Sequence, residues 1–176
     1  MKTVLGIDPG KTGAIVLARR PQSGPLTIEA IEPMPESVDR LVLVCKRLAP
    51  WEPTAWVEDI GAVMSLSKSG PRCKGCQYCK GCGGPLKRMS VDAIAGLNRH
   101  FGEILAACSA AGIPREFVAP VTWQSAFGLK RTDKSESDSA KKGRHLVAAC
   151  EAFPGVSITK SAADAVLIAK YGLMVQ

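Results

Sequence analysis

Residues 2–7, Lys-Thr-Val-Leu-Gly-Ile, form a short apolar run that stops on Asp8 and turns at once through Pro9 and Gly10. A run of this length, with β-branched residues and an Asp-Pro-Gly end, predicts a buried strand closed by a tight turn. Residues 13–19, Gly-Ala-Ile-Val-Leu-Ala-Arg, predict a second strand. Leu26–Ile31 predicts a third, across a loop of Pro, Gly and Ser at 20–25. Strands joined by connections this short pair antiparallel, because a parallel pair needs a long crossover.

Beyond residue 35 the period changes. Val38, Leu41, Val42, Val44, Cys45 and Leu48 recur at helical spacing and predict a helix over 36–49. Thr54–Glu58 reads as a strand ending in carboxylates, and a long helix follows over 90–111, with apolar residues at Ile94, Leu97, Phe101, Ile104, Leu105 and Cys108. A strand at 117–119, a short helix at 120–127, a helix at 135–151 and a last one from Ala162 to Tyr171 complete the order. Three antiparallel strands followed by alternating helix and strand predict an α/β fold, a mixed five-stranded sheet flanked by helices. At 176 residues one domain accounts for the whole chain, 1–176. Residues 61–89 differ in kind: Gly, Pro, Cys and Lys without periodicity, read as an inserted functional loop.

Charge narrows the partner. Lys and Arg number 23 against 16 Asp and Glu, a net +7, which points to a polyanion. No apolar run approaches the roughly 18 residues a spanning helix needs, and the first residues do not resemble a secretory signal. A soluble, cytoplasmic protein without a membrane partner is expected.

Four of the 7 cysteines, Cys73, Cys76, Cys79 and Cys82, lie at uniform two-residue gaps, with glycines at 75, 81, 83 and 84 to fold the backbone tightly. In a reducing compartment such a cluster reads as a soft-metal site rather than disulfides. Structural Zn²⁺ on four thiolates is the first reading; an iron–sulfur cluster and free thiols are the alternatives. Cys45, Cys108 and Cys150 sit singly in apolar helical stretches and read as small buried hydrophobes.

Three carboxylates carry the remaining signal. Asp8 stands where a strand meets a turn, a place that suits either ordinary turn chemistry or a functional acid. Glu58 and Asp59 end another strand, as a solvated end or as ligands. Asp164, in Ser161-Ala-Ala-Asp164, fits a capping box that would start the last helix. Two strand ends and one helix start can also bring three hard oxygen ligands to one sheet edge, a set suited to Mg²⁺ or Mn²⁺. Two such ions about 3.5–4 Å apart would activate a water and stabilise the leaving oxygen of a phosphodiester.

Four stretches occur in order: Gly6-Ile-Asp8-Pro-Gly10, Val57-Glu58-Asp59, Pro120-Val-Thr-Trp123-Gln-Ser-Ala-Phe127-Gly-Leu129, and Ala163-Asp164-Ala-Val-Leu-Ile-Ala169-Lys-Tyr171-Gly172. Together they resemble the RuvC-type Holliday junction resolvases, particularly the phage-encoded and chloroplast branches. The resemblance spans nearly the whole chain apart from the cysteine insertion. It implies an RNase H-like fold and a homodimer that binds a four-way DNA junction and makes two symmetric metal-dependent cuts. It assigns Asp8 to bridge the metals, with Glu58 and Asp164 as further ligands. The family usually carries a fourth acidic or His residue one turn before the last Asp; here those positions hold Lys160 and Ser161. Asp59 as a substitute ligand, Ser161 holding a metal-bound water, and Lys160 acting directly are the alternatives for that place.

Between Ile60 and Val91 there is no acid, but there are Lys68, Arg72, Lys74, Lys80, Lys87 and Arg88. A metal-stiffened basic loop leaving the sheet after Glu58 would contact phosphates near the junction crossover, with Tyr78 available to stack on a base. The plainer reading is a solvated loop pinned by metal. A second basic stretch comprises Lys130, Arg131, Lys134, Lys141, Lys142 and Arg144; it reads as a solvated face or, on the resemblance, as DNA contact. His145 reads as structural, and Trp123 and Phe127 as packing. The apolar stripe of the 90–111 helix reads as core, and the resemblance adds a dimer interface there.

Other classes compete. Gly6 to Ala14 also resembles the first phosphate loop of the sugar kinase and chaperone ATPase superfamily, which needs a second subdomain and nucleotide motifs not found in these 176 residues. A non-catalytic junction-binding module, and a nuclease of the same fold acting on flaps, branched DNA or RNA–DNA hybrids, are the nearer rivals.

Overall fold

The computed structural model of the chain describes residues 1–60, 91–131 and 136–176, with 91–94 as backbone only. Five strands form one sheet in the order β3-β2-β1-β4-β5. They are β1 (Lys2–Ile7), β2 (Ala14–Arg20), β3 (Thr27–Pro33), β4 (Thr54–Glu58) and β5 (Arg115–Val118). The first three make the expected antiparallel meander, with Ile7 opposite Ile15 and a register shift between Leu17 and Ala18. β4 and β5 add in parallel, with Ile7 beside Val57 and Glu58 beside Val118.

Alternation along β1 divides the core in two. Leu5 and Ile7 face one side with Ile15, Leu17, Ala55 and Val57. There they pack on α1 (Val38–Leu48) and α2 (Val91–Ala110) through Leu41, Cys45, Ile104 and Cys108. Val4, Val16 and Ala18 face the other side, covered by α3 (Pro120–Ala126), α4 (Asp138–Ala152) and α5 (Ala163–Val175). α5 is apolar nearly all round, with Ala165, Val166, Leu167, Ile168 and Ala169 all buried, because the sheet lies under one face and α4 over another. The result is a mixed sheet between two helical layers, as the element order predicts.

Local chemistry explains the helix starts, with one correction. Ser37 caps α1 and Ser137 caps α4, each accepting from a backbone N–H three residues on. Pro120 opens α3, where its missing N–H is harmless. The capping box expected at Ser161 and Asp164 does not form: α5 is capped by Ala162 with no side-chain bond. The Ser161 hydroxyl instead shares a 2.9 Å hydrogen bond with Thr159, whose oxygen also accepts from the Ala162 N–H at 3.3 Å. Asp164 is thereby left for other partners.

Two further expectations shift. β5 lies at 115–118 rather than 117–119, because it is an edge strand with only Val118 buried and thus carries almost no apolar signal. Cys150 is exposed, since the buried stripe of α4 runs through His145 and Ala149 and leaves Cys150 to its side; Cys45 and Cys108 are buried as expected. The 61–89 loop with Cys73, Cys76, Cys79 and Cys82, and the residues Lys74, Lys80, Lys87, Arg88 and Lys134, lie outside the described residues. Among the described residues, no helix is long and apolar enough to cross a membrane.

Candidate active site

Parallel pairing of β1 with β4 carries the site. Because Ile7 stands beside Val57, the next residues, Asp8 and Glu58, leave the same sheet edge as neighbours. Both have the strand parity of Val4 and Trp56, which places them on the α5 side of the sheet. Asp164 enters from the first turn of α5, which packs directly on β1 and β2.

The Asp8 turn is built tightly. The Asp8 N–H donates to Ala14 O at 3.1 Å, Gly13 N–H to Gly10 O at 2.8 Å, and Gly10 N–H to Asp8 Oδ1 at 3.1 Å. A Cβ at Gly13 would fall 2.1 Å from the Asp8 carbonyl oxygen, so only glycine lets the loop close over Asp8. Asp8 is therefore both a turn former, through Oδ1, and a group held at the sheet edge.

Burial and mutual repulsion load the site with strain of one sign. Burial raises the Asp8 carboxyl above its ordinary range, and the Asp164 charge raises it further, against the Gly10 N–H and Lys142, which lower it. Burial pushes Glu58 up to about 7, reinforced by the charges of Asp8 and Asp164 and opposed by the Trp123 N–H and the Lys141 ammonium. Three acids within mutual electrostatic reach, two of them desolvated, are relieved by protons or by a cation. Their hard oxygens fit Mg²⁺ or Mn²⁺ far better than a soft metal. Among the described residues, no group of three or more His, Cys, Asp or Glu side chains lies close enough together to hold a metal ion as placed, so a cation would have to draw the three carboxylates in.

Two residues read as packing or structure are joined to these acids. Trp123, fully buried, donates its Nε1–H to Glu58 Oε1 at 3.0 Å. His145, 1% exposed, places Nδ1 2.6 Å from Asp164 Oδ1. The sequence signal that could have found them is chemical: an indole and an imidazole on buried faces each need a polar partner. Phe127 does pack, under the Lys170 ammonium.

The other candidates divide. Lys160 and Ser161 are exposed, with Ser161 turned to Thr159. Asp59 is half-buried, and its N–H continues the ladder to Val118 O at 2.9 Å. Lys141 and Lys142, near the start of α4, do act on the site. Lys130 is exposed beside a hollow of about 480 Å³ lined by Thr122, Ser125 and Tyr171. Arg144 and Arg131 are engaged internally: Arg144 grips Glu136 through two bonds of 2.7 and 2.9 Å, and Arg131 bonds Asp138 at 2.8 Å.

Comparison with known proteins adds one kind of likeness. No protein-family model matches the sequence, and no curated protein matches it. Among solved structures, the chain is similar to Thermus thermophilus RuvC in complex with a Holliday junction substrate, with a TM-score of 0.62 and 16% identity over 99% of this chain and 97% of that one. It is similar also to a second Thermus thermophilus RuvC structure, with a TM-score of 0.59 and 17% identity over 98% and 96%. At this identity the likeness establishes the fold: a RuvC-like, RNase H-like sheet along nearly the full length of both chains.

Proposed function

We propose that this chain is a structure-specific endonuclease that resolves four-way DNA junctions, as a homodimer, by paired symmetric cuts that depend on a divalent cation. The observation that carries the reading is the convergence of Asp8, Glu58 and Asp164 at one sheet edge, with the Asp8 and Glu58 carboxyls both raised. It is supported by a fold like that of RuvC, solved with such a junction.

Asp8, Glu58 and Asp164 would hold Mg²⁺ or Mn²⁺, which when bound supplies a water acidified towards neutral pH and polarises the phosphoryl oxygen. The chain's own groups do the rest. The Gly10 N–H fixes one Asp8 oxygen, Trp123 fixes one Glu58 oxygen and His145 fixes one Asp164 oxygen. Lys141 and Lys142 lie within electrostatic reach of the acids, so a backbone phosphate arriving there meets ammonium charge rather than bare carboxylates. Cuts in two strands of a two-fold junction call for two copies of the site. Phe117, 51% exposed on the edge strand β5 and packed on Phe101 of α2, offers an apolar surface for the second copy. The four cysteines of 61–89 would hold structural Zn²⁺, stiffening a loop whose Lys74, Lys80, Lys87 and Arg88 meet junction phosphates.

The test is cleavage of a synthetic four-way junction beside a linear duplex and a flap, with Mg²⁺ or Mn²⁺, using Asp8→Asn as control. Paired nicks in the junction alone are expected, with Asp8→Asn binding but not cutting. Wild-type cutting by Asp8→Asn would overturn the site. Preference for the flap would make the chain a nuclease of the same fold with another substrate, and tight binding without nicks a junction-binding module.

A further inference from the structure

Glu58 and Asp164 come from elements far apart in the chain, yet one buried path joins them. Trp123, on α3, has a single polar group, and it is committed to Glu58 Oε1. Its ring meets that of His145, on α4, edge to face at 5.3 Å and 73°. His145 in turn bonds Asp164 at 2.6 Å. A carboxylate only accepts, so Nδ1 carries the proton in that bond.

A core filler would not be chosen this way. Among the described residues His145 Nε2 is buried without a hydrogen-bond partner, and a leucine or phenylalanine there would fill the space with no nitrogen left unpaired. The cost of burying that imidazole is offset by its bond to Asp164. The turn before α5 contributes nothing comparable, since Ser161 is bonded to Thr159 and Lys160 is exposed. Carboxylates that ligate metals depend on such outer hydrogen bonds for their orientation.

We propose that Trp123 and His145 are one positioning unit, which sets the Glu58 and Asp164 carboxylates for a shared divalent cation from α3 and α4 rather than from the turn before Asp164. This inference rests on the metal-dependent reading above, so its test measures metal binding and not cleavage.

Mn²⁺ is titrated into the full chain and the free ion is followed by electron paramagnetic resonance, with unfolding temperature and near-ultraviolet circular dichroism recorded for each variant. His145→Leu, which keeps volume and removes the donor, should weaken Mn²⁺ by about tenfold to a hundredfold. Trp123→Phe, which keeps the ring and removes the N–H, should also weaken it, with the unfolding temperature little changed. His145→Asn, whose amide can donate where Nδ1 does, should recover most of the loss. A double variant, Trp123→Phe with His145→Leu, should lose less than the product of the two single losses, as expected of residues acting together. Wild-type Mn²⁺ affinity in Trp123→Phe, or in a His145→Leu chain that folds, would overturn the unit. No Mn²⁺ binding by the wild-type chain would instead overturn the metal-dependent reading, and the unit with it.

Discussion

Gly6 and Ala165 are in contact through their backbones: a Cβ built on Gly6 would fall 2.1 Å from the Ala165 carbonyl oxygen and 2.4 Å from the Ala169 nitrogen. Helix α5 therefore lies directly on β1, with no side chain between. Asp8 is two residues beyond Gly6, and Asp164 is one residue before Ala165. The same close approach that packs the helix sets the separation of the two acids.

Gly6→Ala tests this relationship. Both obstacles are backbone, so neither can rotate aside, and the helix must move or the strand must bend. Overpacking of this kind is expected to cost about 3 kcal/mol in urea unfolding. Cutting should fall further than the loss of folded protein explains, because Asp164 moves with the helix. Gly172→Ala is the comparison: its Cβ would meet the Trp56 side chain at 2.6 Å, an obstacle that can shift, so a smaller loss is expected. A Gly6→Ala chain within about 0.5 kcal/mol of wild type would show that α5 is not seated as tightly as the packing implies.

The raised acids predict an unusual dependence of stability on pH. Glu58 titrates near 7 in the folded chain against an ordinary value of 4.5, so between these values the folded state binds more protons than the unfolded. Without divalent cations, stability should therefore fall as pH rises from about 4.5 to 7, by on the order of 2 kcal/mol, with Asp8 adding in the same direction. Denaturant unfolding in chelator at several pH values measures it. Glu58→Gln should flatten the slope, and Mg²⁺ should stabilise the chain more at pH 8 than at pH 5. A flat profile in the wild type would mean that the carboxylates are solvated.

Asp8 and Glu58 are legible in the sequence because each ends an apolar strand, and a carboxylate there needs an explanation. The sheet is legible for a related reason: β1, β2 and β4 carry their burial in their own residues. β5 does not, since a single buried residue at an edge leaves little to read. Trp123 and His145 read as packing and structure because their partners lie 65 and 19 residues away, and no local period reports such a bond. Ser161 fails in the opposite way: a local motif is present, but Thr159 competes for its hydroxyl. Local chemistry predicts a site only where no neighbour offers a better partner.

Among the basic residues, ion pairing separates expected DNA contacts from structural ones. Lys141 and Lys142 project charge onto the carboxylates, whereas Arg144 is bound to Glu136, which holds it and whose carboxyl it lowers below the ordinary range. Lys141→Gln with Lys142→Gln should weaken junction binding and reduce the slope of log K against log salt by about 2, near one for each phosphate no longer neutralised. Arg144→Gln should leave that slope unchanged and act instead on the link between α4 and the Leu129 carbonyl. Filter binding across a salt series distinguishes them; an equal fall in slope for both variants would place Arg144 on DNA.

The cysteine cluster gives a prediction that needs no DNA. Cys73, Cys76, Cys79 and Cys82 repeat at one spacing, and four thiolates suit tetrahedral Zn²⁺. The full chain, purified without added metal, should carry about one Zn²⁺ per chain by elemental analysis and be colourless; visible absorbance with iron and sulfide would assign an iron–sulfur cluster instead. Cys76→Ser with Cys79→Ser should remove the metal. If the loop binds junctions as proposed, affinity should fall in that variant, because Lys74, Lys80, Lys87 and Arg88 would no longer be held by a metal for simultaneous phosphate contacts. A chain that binds neither zinc nor iron would make the four thiols free. A metal-free variant that binds junctions like wild type would make the metal a matter of stability and move the basic contacts elsewhere.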